Sequence, residues 1–165
     1  MSYYIGLPLL VLVALLEASV LPMFRVYGLQ PNLMLLLLIA WLIVRGAGEA
    51  FIFAPIGGVL LGLVDGAPTG TALIGLAPLA FLQDLRGSQL REGGLIMAIA
   101  FTIVMSLFYN YVHLAVFTLE GQSGDWLVAS TRIIVPTALI NVFVLVPLYG
   151  LMTLASPAQR RTVYA

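Results

Sequence analysis

The sequence predicts an all-α membrane protein, a compact bundle of six transmembrane helices, and three observations carry that prediction. The chain of 165 residues is 62% hydrophobic and only 8% charged, whereas a soluble domain carries roughly 25% charged residues. Too few charges remain to cover a water-facing surface. Its apolar runs are separated by short clusters of Gly, Pro and charged residues, the pattern of helices that cross a hydrocarbon layer. Its arginines, finally, fall mostly on one side of the bilayer when six crossings are counted.

The first apolar run covers residues 3–21 and stops at Pro22. It is short enough to resemble a signal peptide, but no Lys or Arg precedes it and Glu17 interrupts its end, so we expect an uncleaved span. A loop over 22–30 carries Arg25. The second span starts at Pro31, a residue favoured at the first position of a helix, and runs to Val44. Residues 45–49 form a tight turn, and the third span covers 50–64. Residues 65–70 close it with Asp, Gly and Pro, and the fourth span covers 71–83. A polar hinge over 84–94 contains Asp84, Arg86, Arg91 and Glu92. The fifth span, 95–119, is the longest uncharged stretch; a turn over 120–125 leads to the sixth, 126–154. We expect one domain over residues 1–155 and a short cytoplasmic tail over 156–165.

The third span has 15 residues, which reach about 22 Å at 1.5 Å per residue, against a hydrocarbon core of about 30 Å. Polar helix ends that continue into the headgroups account for this better than a thinned bilayer. Spans three and four as a re-entrant pair are the other arrangement. With six crossings, Arg45, Arg86, Arg91, Arg160 and Arg161 share one side, and Arg25 and Arg132 the other. Five against two puts both termini in the cytoplasm.

Composition also excludes functions. The net charge is zero, which leaves no basic face for nucleic acid. There is no cysteine, hence no disulfide, iron–sulfur cluster or thiol catalysis. GxSxG, HExxH and P-loop motifs are missing, and one histidine cannot build a metal site alone. Asp65 and Asp125 nominally match the two aspartates of a membrane aspartyl protease, without a surrounding motif. We expect no catalytic residue, no cofactor and no metal.

The segment over 54–70 has the most unusual pattern. Ala54, Gly58, Gly62 and Gly66 recur every four residues and Gly57 adjoins them, so one helix face is smooth enough for close backbone approach. Packing inside the bundle and docking of a partner's helix both use such a face. Asp65, Gly66, Pro68 and Gly70 then form a turn, with Gly66 free to take positive φ. Glu17 is a carboxylate inside a span and needs a partner or a wet cavity; Arg132 and Arg25 are the available cations. Asn110 and His113 share a face of span five at i, i+3, suited to interhelical hydrogen bonds or to a ligand pocket. Asn141 suits the same interhelical role. Tyr109, Tyr111 and Trp126 fall where an aromatic belt belongs.

Two stretches resemble a known family. Leu16-Glu17-Ala18-Ser19-Val20-Leu21-Pro22, then Gly28-Leu29-Gln30-Pro31-Asn32-Leu33-Met34-Leu35-Leu36, is similar to the start of the rod shape-determining protein MreD family, with its G-x-x-P-D/N-L-x-L segment. Arg45-Gly46 before Glu49-Ala50 looks like the family's next turn. Gly62-Leu63-Val64-Asp65-Gly66 with Pro68-Thr69-Gly70 resembles its G-L-L-x-D-x…G stretch. The likeness is close over about residues 16–80 and general beyond. It implies a non-enzymatic subunit of the bacterial elongation machinery in the inner membrane. The implied partners are an MreC-like protein and, directly or through it, RodA, a class B penicillin-binding protein and MreB, besides membrane lipids. It also implies a fold like the substrate-binding subunit of energy-coupling-factor transporters. That fold suggests the alternative, a small-ligand (vitamin-like) binding membrane subunit.

Overall fold

The computed structural model describes residues 2–24, 29–45, 47–68, 70–81, 94–122 and 124–155. Arg25, the polar hinge up to residue 93, and the tail with Arg160 and Arg161 lie outside the described residues. The described chain is helical and contains no strand. Its six long helices are α1 (Ser2–Ser19), α2 (Leu33–Arg45), α3 (Ala47–Val64), α4 (Thr71–Phe81), α5 (Gly94–Leu119) and α6. The last is one rod in three parts: Trp126–Ala129, a π-helical turn over Ser130–Ile134, and Val135–Ala155. A 3-10 turn, Leu21–Phe24, follows α1.

Three stretches, Tyr4–Met23, Gly94–Leu119 and Trp126–Leu154, are long and apolar enough to cross a membrane. The other three helices are shorter. Of these, α2 is the centre of the molecule: every residue from Met34 to Val44 is buried, packed by α1, α3, α5 and α6. A helix that is apolar all round and buried all round takes its length from its neighbours and not from the bilayer. At 13 residues, α2 is shorter than the roughly 20 needed to cross lipid.

Helix ends depart from the sequence expectation for physical reasons. Asn32 caps α2, its Oδ1 accepting the Leu35 N–H at 2.7 Å, so the helix starts at Leu33 and Pro31 precedes the cap. α3 begins three residues earlier than expected, at Ala47; the expected end of the fourth span, residues 82–83, lies outside the described residues. The π turn has a cause in sequence. Pro136 has no N–H for the Arg132 carbonyl and its ring crowds that carbonyl; the helix widens, and the Val135 N–H bonds Ser130 O, five residues back.

Close approaches fix how the helices sit. A Cβ on Gly58 would stand 2.7 Å from the Leu73 Cα of α4, and one on Gly57 would stand 3.0 Å from the Met34 Sδ of α2. At Gly58 the smooth face of α3 is therefore occupied from within the chain. Gly62 is different, with only the Ala72 Cβ at 3.9 Å. Gly75 of α4 lies directly under the Tyr109 ring of α5, and Gly6 of α1 under the Phe53 ring of α3. Tyr109 is thus an interior residue, 7% exposed, and not part of an aromatic belt; Tyr111 and Trp126 do face outward.

Candidate functional site

The start of a helix leaves N–H groups without intrahelical partners, and in α2 these lie deep in the bundle. Three side chains satisfy them, the cap residue Asn32 and one each from α1 and α6. Asn32 takes the Leu35 N–H, as described. Glu17, from the last turn of α1, accepts the Met34 N–H on Oε2 at 2.9 Å. Asn141 of α6 accepts the Asn32 N–H on Oδ1 at 2.9 Å and donates from Nδ2 to Ser106 Oγ of α5 at 2.8 Å. All four side chains, Glu17, Asn32, Ser106 and Asn141, are buried. One polar node therefore ties α1, α2, α5 and α6 together at one end of the bundle.

This node revises the expectation for Glu17. Among the described residues it forms no ion pair with Arg132, which lies exposed on the π turn. Arg25, the other expected partner, is outside the described residues. The carboxylate instead meets the positive end of the α2 dipole. Glu17→Leu should cost about 1–2 kcal/mol, because the Met34 N–H is left unpaired. Glu17→Gln keeps an acceptor and should cost less than half as much. Unfolding of the purified protein in mixed micelles compares them; equal losses would assign Glu17 no capping role.

Above the node is a cavity of about 290 Å³. Its polar lining is Glu17, Gln30, Asn32, Asp65, Tyr109, Asn110, His113 and Thr137. The Asp65 carboxylate accepts the Ala67 N–H at 2.9 Å through Oδ1, which is the expected turn. Its Oδ2 stands 3.8 Å from His113 Nε2, a neighbour that sequence spacing did not reveal. His113 Nδ1 lies 3.1 Å from Tyr109 O. A carbonyl only accepts, so Nδ1 carries the hydrogen and Nε2 faces Asp65. The imidazole also packs on the Tyr109 ring, centroids 4.3 Å apart.

Asn110 and His113 thus line one cavity, but their own hydrogen bonds are local: Asn110 Nδ2 donates to Ser106 O at 2.8 Å within α5. The residues that couple the helices are Asn141, as expected, and Ser106 and Asn32, whose role depends on contacts across more than 30 positions of sequence. Among the described lining residues none is Arg or Lys. Two carboxylates and several amide and hydroxyl oxygens make the cavity rich in acceptors, a surface suited to a donor-bearing or cationic group. No group of three or more His, Cys, Asp or Glu among the described residues is arranged to hold a metal ion.

Comparison with curated proteins and with solved structures returns no match. The sequence model of the family described as rod shape-determining protein MreD matches residues 2–155. That stretch takes in every described helix, including the polar node and the cavity above it. This chain therefore belongs to the MreD family of rod shape-determining membrane proteins.

Proposed function

We propose that this protein is a non-enzymatic, multi-pass subunit of the rod-shape machinery in the bacterial cytoplasmic membrane. It supports lateral peptidoglycan synthesis by holding a partner, foremost an MreC-like protein, and through it RodA, a class B penicillin-binding protein and MreB. The arginine asymmetry supports cytoplasmic termini, and on that reading the cavity faces the periplasmic side. The observation that carries the partner-binding reading is the acceptor-rich cavity, lined in part by Glu17 and Asn32 of the node. A partner segment with donor groups entering there shifts the populations of the partner's states without bond chemistry. Apolar side chains exposed along α1, α5 and α6 supply contact for partner transmembrane helices.

The experiment is copurification from detergent extracts with a tagged double variant, Asp65→Asn with His113→Ala. Apart from their own 3.8 Å contact, these groups line the cavity without a hydrogen bond to another helix, so the fold should persist. We expect the MreC-like protein to be lost from the eluate and rod shape to fail. Retention of the partner at wild-type level would remove the cavity from this function. The polar cavity also favours a second reading, a small-ligand binding subunit of an energy-coupling-factor type transporter. An ATPase pair with a coupling subunit in the eluate would favour that reading.

A further inference from the structure

A second hollow runs from the start of α2 to its end at Arg45. It is an apolar groove of about 370 Å³ whose floor is α2 (Leu37, Trp41) and whose walls are α1 (Leu9, Val13) and α6 (Leu148, Met152). α1 and α6 both pack on α2 and make no extensive contact with each other, so the groove runs between them, closed at its floor by the buried side chains of α2. Arg45, the last residue of α2, lines the groove's end. Its guanidinium lies 5.1 Å from the centroid of the Trp41 ring, while the Trp41 indole N–H donates to Glu49 Oε2 at 2.7 Å.

Size and charge decide the occupant. The groove follows α2 from Leu33 to Arg45, roughly 18 Å at 1.5 Å per residue, close to one leaflet of a core about 30 Å thick. A helix with side chains is about 10–12 Å across, and a volume of about 370 Å³ cannot admit a spanning one. A single acyl chain fits both length and width. An arginine at the end of such a slot provides the planar fork that binds phosphate, and basic pockets between transmembrane helices take anionic headgroups. We propose that the groove between α1, α2 and α6 is a binding site for one anionic phospholipid, its acyl chain along α2 and its phosphate on Arg45.

The chain has two tryptophans, so Trp126→Phe leaves Trp41 as a reporter on the groove floor. The variant is placed in phosphatidylcholine vesicles containing a small fraction of phosphatidylglycerol brominated on its acyl chains, or of equally brominated phosphatidylcholine. Per mole, the brominated phosphatidylglycerol should quench Trp41 about fivefold more efficiently, the effect of one basic residue at a headgroup. Adding Arg45→Gln should bring that ratio to about one, the loss of that single interaction. Adding Val13→Phe, which fills the groove, should weaken quenching by both lipids. Equal quenching by the two lipids without Arg45→Gln would overturn the proposal. So would a ratio that Arg45→Gln leaves unchanged, or quenching that Val13→Phe leaves intact.

Discussion

Asn141→Ala is expected to destabilise the protein by about 2–3 kcal/mol, more than any other polar substitution within the bundle. The amide is fully buried; its oxygen receives the Asn32 N–H and its nitrogen donates to Ser106 Oγ. Truncation leaves the Asn32 N–H without a partner at the start of a helix that is buried on every side. An orphaned buried donor costs about 1–3 kcal/mol, and the vacated volume adds to that. Ser106 recovers part of its loss by turning its hydroxyl toward its own helix. Asn110→Ala is the control, because Asn110 bonds only a carbonyl of its own helix; it should stay within about 0.5 kcal/mol of the starting protein. Unfolding in mixed micelles, followed by helicity, reads both. Similar losses for the two would mean that the node does not organise the bundle.

The second large effect is expected at Gly58. Its alanine variant adds one Cβ that would stand 2.7 Å from the Leu73 Cα, and a backbone atom cannot swing aside as a side chain can. Separating α3 from α4 to make room should cost about 1–3 kcal/mol, and leucine there more. Gly62→Ala tests the same residue type one turn along the same helix, where the nearest atom outside the helix is 3.9 Å away. That is ordinary contact, so the alanine should be neutral or stabilise by up to about 1 kcal/mol through helix propensity. Expression level and unfolding midpoint of the pair give the result. If Gly58→Ala proved as stable as Gly62→Ala, the α3–α4 packing described above would be wrong. If both folded and only Gly62→Leu lost the MreC-like partner, the exposed part of the face would be a docking surface.

How much of the site was legible in sequence differs residue by residue. The turn at Asp65 was legible because the bond to the Ala67 N–H is local; the cap at Asn32 is equally local but was masked by Pro31, which the sequence offers as the first helical residue. Glu17 was legible as a buried acid needing a partner, but a backbone N–H supplies that partner, and a backbone N–H leaves no letter in the sequence. The approach of His113 to Asp65 joins residues 48 positions apart, on helices whose relative rotation no periodicity specifies.

By itself, the sequence determined the chemistry of the surface and the local devices of the chain. Its apolar runs, its scarcity of charge, its helix-ending turns and its proline-induced π turn all follow from residue type and near neighbours. The family likeness rests on the same short-range motifs. Tertiary structure alone decided that α2 is the buried axis, that Gly58 meets α4 while Gly62 does not, and that Glu17, Asn32, Ser106 and Asn141 converge. The reason is that several helices in this chain are apolar on every face. A helix without a polar stripe carries no sequence mark of which side faces protein. Close packing and the pairing of buried polar groups choose that side, and both exist only once the helices have met.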